Sequence, residues 1–227
     1  MKRLCLIVFI ILSSSVISFA QKDVTRFMGI PVDGSKSQMI RKLEAKGFER
    51  LYYDSDALTG EFNGRDVTIF IDTNKGNVSR LSVLYASTVS ERIVKTLYNN
   101  LCYQFANNSK YLCPSIEEIP DDESISYEMS VNGKEYTVLL LQKSEGWGDS
   151  EYPENVVSAL KEKYSDDYIS SHQDEIKQEY NKLFDIEKEI TSNKIVWFTI
   201  VKGEYSNEYS IAIYYENEYN NANGEDL

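Results

Sequence analysis

The sequence predicts an α+β fold in which antiparallel β-hairpins form one or two sheets with helices packed on one face. Three observations lead there. The dipeptides Asn63-Gly64 and Asn132-Gly133 each separate two runs of alternating apolar residues, the strongest short signal for a hairpin. Segments with helical spacing precede both hairpins without regular strand–helix–strand alternation. Across residues 146–193 the apolar period lengthens, marking a helical insertion before two closing strands.

The chain opens with Lys2 and Arg3, an apolar run over 4–12, and then Ser18-Phe19-Ala20. This is the layout of a secretory signal peptide spanning 1–20. The apolar run falls short of the roughly 20 residues that cross a bilayer. The expected product is therefore a periplasmic or secreted protein beginning at Gln21, with no membrane insertion after cleavage. Cys5 lies inside the apolar run, which does not support a lipidated N-terminal cysteine. Residues 21–227 are expected to form one α+β domain, with subunits 27–87 and 88–217, a helical insertion at 153–192 and a frayed tail at 218–227.

Residues 35–46 are predicted to form a short helix. Asp33-Gly34-Ser35 supplies capping oxygens, Met39, Ile40 and Leu43 share one face, and Gly47 offers a left-handed stop. Phe27, Ile30 and Phe48 are expected to pack around it. Residues 58–62 and 65–72 flank Asn63-Gly64, and a second turn at 73–77 leads into 78–86, completing a three-stranded meander. Phe70 breaks the alternation of Val67, Ile69 and Ile71 against polar neighbours.

A second helix is predicted over 89–107, with Ile93, Leu97, Leu101 and Phe105 as its buried stripe. Residues 125–131 and 134–142 then read as a second hairpin around Asn132-Gly133, so that two helix-then-hairpin units suggest a tandem repeat. In the insertion, Ile169, Ile176, Leu183 and Ile190 recur every seven residues. Such a row can form a coiled-coil seam, but Tyr180, Phe184 and Ile186 broaden it, which favours packing on its own domain. Residues 195–201 are apolar at nearly every position and read as a central strand buried on both faces, and 209–215 alternate as its neighbour.

The full chain carries 24 basic and 36 acidic residues, a net charge of −12. Loss of Lys2 and Arg3 makes this about −14, which excludes a nucleic-acid function. Cys102 and Cys113 are expected to form a disulfide in an oxidising compartment. Metal or redox chemistry would call for tighter cysteine spacing or nearby histidines, and His172 is the one histidine. The pairs Glu117-Glu118, Asp121-Asp122-Glu123 and Asp166-Asp167 read as loop carboxylates, and Asp54-Ser55-Asp56 and 72–76 lack the glycine and glutamate offsets of a calcium loop. No nucleophile-elbow, Walker or dinucleotide pattern occurs, so no catalytic residue, metal ligand or cofactor is predicted. Gly146-Trp147-Gly148 reads as a loop anchored by its indole. Tyrosine is abundant, with 17 residues, and Tyr52, Tyr53, Tyr205 and Tyr214 are the candidates for an exposed binding surface.

Residues 27–48 and the tail YYENEYNNANGEDL resemble segments of small secreted proteins of Gram-negative anaerobes whose function is not characterised. Gly34-Ser35, Ile40, Leu43 and Gly47 also resemble the opening helix of envelope domains related to beta-lactamase inhibitor protein and to the small outer-membrane assembly lipoprotein. The resemblance implies a helix preceding an antiparallel sheet, sometimes in tandem, and a protein-binding role. Two functions stay open on sequence: a non-enzymatic module that binds a protein or envelope component, and a periplasmic hydrolase of glycans or peptides using loop carboxylates.

Overall fold

A computed structural model describes residues 22–52, 54, 56–148, 150, 152–203 and 207–222. The leader 1–20, together with Tyr53 and Tyr205, lies outside these residues. The chain begins with a two-stranded ribbon, β1 (Arg26–Phe27) and β2 (Ile30–Pro31), turned through Met28 and Gly29 at φ 49° and 80°. Helix α1 (Lys36–Glu44) follows. The Ser35 hydroxyl accepts from the Gln38 N–H while the Gln38 side chain accepts from the Ser35 N–H, a reciprocal cap that satisfies two otherwise orphaned donors.

The first half continues as β3 (Glu49–Arg50), β4 (Leu58–Phe62), β5 (Arg65–Asn74) and β6 (Asn77–Tyr85). Asn63-Gly64 makes the expected two-residue turn at φ 53° and 72°, and Lys75-Gly76 repeats it at 49° and 83°. Helix α2 (Glu91–Ala106) opens the second half, which runs through β7 (Tyr111–Ser115), β8 (Thr137–Gln142), β9 (Ile195–Lys202) and β10 (Tyr209–Glu216). The strand order is β3-β4-β5-β6-β10-β9-β8-β7, antiparallel throughout. Each half is thus a helix followed by a four-stranded meander, and the halves join through their last strands.

One hydrophobic core holds both halves. It packs Met39, Ile40 and Leu43 of α1 and Leu97, Leu101 and Phe105 of α2 against Val67, Ile69, Val83, Phe198, Ile211 and Ile213 of the sheet. Burying each such side chain contributes about 1.5–3 kcal/mol. Phe27, Ile30 and Phe48 are buried around α1, as expected.

Several expectations are corrected. Residues 125–131 are not a strand: Ser124 caps a short helix, α3 (Ile125–Tyr127), which continues as a wide turn over Glu128–Asn132. Gly133 ends it at φ 65°, and β8 pairs instead with β7 and β9. In α2, Ile93 is 48% exposed, and Val94, Tyr98 and Cys102 complete the buried stripe. The insertion forms α4 (Glu154–Lys163), α5 (Asp166–Ser171) and α6 (Gln173–Ser192), and the seven-residue row is divided between α5 and α6. Ile186 is exposed, whereas Glu187 and Thr191 are buried on Ser144. The Trp147 indole is buried against Phe184, as expected. The tail is docked at its start: Asn217 donates to the Val32 carbonyl, and Asn220 to Asp33 and the Val78 carbonyl.

The buried tyrosines set an alkaline limit. Burial raises the phenols of Tyr98 and Tyr215 above their ordinary value of 10. Folding favours their neutral form, so their stabilising contribution is whole below pH 10 and is lost as pH rises through the raised values. Urea midpoints measured across the alkaline range are expected to fall from pH 10 upward, in step with tyrosinate absorbance. Exposed phenols ionise near about pH 10 without consequence, so the contrary result is a urea midpoint that stays unchanged well above pH 10 while the last, buried tyrosines ionise.

Candidate functional site: the open face of the sheet

Strand residues alternate between faces, and both helices cover the same one. Among the described residues the other face stands open. Paired residues place Phe70, Ser82, Tyr214, Trp197 and Leu139 in one row across β5, β6, β10, β9 and β8. A second row runs Thr68, Leu84, Ala212, Thr199 and Thr137. Phe70 is 40% and Leu139 43% exposed, and Tyr214 and Trp197 are half-buried. β9 is therefore a central strand, but not one buried on both faces as its composition suggested. Val196, Phe198 and Ile200 enter the core, while Trp197, Thr199 and Val201 look outward.

At the centre, the Trp197 and Tyr214 rings stack 3.9 Å apart at 17°. The Trp197 Nε1–H donates to Glu216 Oε1 at 2.9 Å, and Arg80 Nε donates to the same oxygen at 2.7 Å. The Arg80 guanidinium also lies 5.6 Å from the Tyr214 ring centroid. These contacts fix two large rings on rigid strands, with little rotamer freedom left to lose on binding. Glu61, Asp66 and Asp72 flank the aromatic centre on β4 and β5 and are exposed.

Of the four tyrosines singled out, Tyr214 sits in this face. Tyr52 is fully exposed in the loop between β3 and β4, with three strands between it and β10. Tyr53 and Tyr205 fall on undescribed positions. Sequence reasoning missed Trp197, whose signal was its alternation with Phe198, and Phe70, whose break in the β5 alternation was the clue.

The disulfide expectation is overturned, because both cysteines are free thiols. Cys102 is buried, with its sulfur 4.0 Å from the Glu117 carbonyl. β7 shifts register on β8 between Leu112 and Ser115 and aims Cys113 at the Phe105 carbonyl, 3.5 Å away in the last turn of α2. Burial pushes the Cys102 thiol up to about 12 and also raises Cys113, so neither is a ready thiolate.

His172 is exposed between α5 and α6 and stacks on Tyr168 at 3.9 Å. Glu123 is engaged by Lys134 and Tyr136, while the Lys95 ammonium donates to the carbonyls of Pro120, Asp121 and Glu123. Asp166 and Asp167 open α5. Among the described residues, no three His, Cys, Asp or Glu side chains are arranged to hold a metal ion. No described helix is long and apolar enough to cross a membrane.

No family model, curated protein or solved structure matches this chain.

Proposed function

We propose that this is an exported, non-enzymatic binding module that docks a partner protein on the open face of its sheet. The observation that carries the proposal is the Phe70–Tyr214–Trp197–Leu139 row, an aromatic and aliphatic stripe lying half-exposed on rigid strands. Binding energy at protein interfaces concentrates in such Trp and Tyr anchors ringed by polar groups. The flanking carboxylates Glu61, Asp66 and Asp72 and the net charge of −12 select a partner with an apolar anchor inside a Lys- or Arg-bearing rim. A nucleic acid would be repelled.

The test is capture from envelope extract with three forms of the protein. Wild type and Tyr52→Ala are expected to retain the same partner, and Trp197→Ala to weaken it at least about tenfold. Raising salt is expected to slow association, because the rim charges are screened. Equal capture by Trp197→Ala and wild type would remove the open face from the function.

A further inference from the structure

A cavity of about 760 Å³ opens on the opposite, helix-bearing side, between the β1–β2 ribbon, the end of α2 and the start of β7. Its size is typical of small-molecule sites. Met28, Phe62, Leu101 and Phe105 give it apolar walls. Its polar end is built from segments far apart in sequence. Gln142 accepts from the Arg26 backbone N–H at 2.7 Å, and its amide donates to the Arg26 carbonyl at 3.1 Å and the Tyr111 hydroxyl at 3.3 Å. The Tyr111 hydroxyl also lies near that of Tyr215.

Charge in this cavity runs against the rest of the chain. Acidic residues outnumber basic ones overall, 36 to 24, yet the described lining holds Arg26, Lys110 and Lys143 against the carboxylate of Glu145, with Lys194 beside them already paired to Asp23. The decisive detail is Arg26. Its terminal nitrogens reach the Gly29 carbonyl and Glu145, but its Nε–H is buried without a hydrogen-bond partner among the described residues. An unmet donor on a charged group is costly, and the Arg26 side chain as a whole stays 35% exposed, so an anionic head group entering the cavity would meet an under-satisfied cation and gain a charge-assisted contact with it.

We propose that this cavity binds a small amphipathic carboxylate, its apolar body against Phe62, Leu101 and Phe105 and its head group on Arg26. One partly exposed arginine beside aromatic walls fits a monoanion with an apolar body better than a bare polyanion. The site lies across the sheet from the proposed docking face, so either can fail without the other.

Calorimetric titration of the full mature chain tests it, using dodecanoate, 1-naphthoate, dodecan-1-ol and acetate as probes below their aggregation limits. At least one of the two amphipathic acids is expected to bind saturably, one per chain, and which of them binds tells an acyl from an aryl body. Dodecan-1-ol is expected to bind at least about tenfold more weakly and acetate not detectably. Arg26→Gln is expected to weaken the acid at least about tenfold, and Glu145→Gln, which frees Arg26 of its competing carboxylate, to tighten it. Lys110→Gln, at an exposed position, is expected to weaken it a few-fold and serves if the Arg26 variant melts early. No saturable binding of either acid at millimolar concentration would overturn the proposal, as would acid and alcohol binding alike or cation variants that bind as wild type.

Discussion

Replacing Asp23 with alanine is expected to lower the stability of the protein by about 3–5 kcal/mol, the usual cost of stranding one member of a buried ion pair. Lys194 is 1% exposed, and its ammonium lies 2.6 Å from Asp23 Oδ1. Asp23 Oδ2 accepts the Glu145 backbone N–H at 2.6 Å. One carboxylate therefore ties the start of the described chain to the loop after β8 and to the residue before β9. Burial already lowers the Lys194 pKa, and Asp23 opposes that shift. Without Asp23 the lysine sheds its proton at lower pH in the fold, while the unfolded lysine holds it to about 10.5. Stability rises with pH between those two values, so the deficit is expected to shrink from neutral toward alkaline pH. Adding Lys194→Met should restore most of the loss, since an apolar replacement of a buried pair is often neutral. Urea midpoints for the single and double variants measure this. A pH-independent deficit below about 1 kcal/mol would show that the pair does not hold these segments.

Local chemistry made the first half of the fold legible and misled in the second. Asn63-Gly64 and Asn132-Gly133 are the same dipeptide, and the second glycine takes positive φ in both cases. Positive φ serves a hairpin turn and a helix C-terminus alike, so the dipeptide cannot choose between them. In the first case β4 and β5 alternate on both sides of the turn and pair with each other. In the second, Ile125 and Met129 are four residues apart on the core side of a helical turn capped by Ser124. β8 is claimed by β9 across 62 residues of sequence, as the Thr137–Thr199 hydrogen bond shows. No window on the sequence contains that competition.

The candidate face was legible only in part, for a related reason. Continuous apolar composition in β9 is what a strand buried on both faces shows, but an exposed binding face demands the same residues. Which of the two holds depends on whether a helix covers the second face. Here α1 and α2 both take the first. Tyr214 was noticed for its chemistry, whereas Trp197 needed the register that stacks it on Tyr214. The cavity was out of reach altogether, because Arg26 and Gln142 are 116 residues apart. The cysteine expectation rested on two thiols in an oxidising compartment, whereas the fold directs the two sulfurs to different carbonyls, those of Glu117 and Phe105.

Phe27→Ala is expected to cost about 3–5 kcal/mol, as large as any core truncation in the chain. By sequence Phe27 belongs to the approach to α1, and β1 is only two residues long. Its ring, however, is wholly buried, with centroids 4.9 Å from Phe62, 5.1 Å from Tyr215 and 6.1 Å from Phe48. Those partners come from β4, from β10 and from the loop after α1, so one side chain bridges the two halves of the sheet and the first helix. The turn at Met28 and Gly29 holds the ring there, since Ile30 pairs directly with Phe27. Met28 itself is 41% exposed, and Met28→Ala is expected to change stability by no more than about 0.5 kcal/mol. Thermal and urea unfolding of the two variants separates an anchored ribbon from a mere lead-in. Similar small losses for both would mean that the cluster closes without Phe27, and that the rest of the shared core and the β6–β10 pairing hold the two halves together.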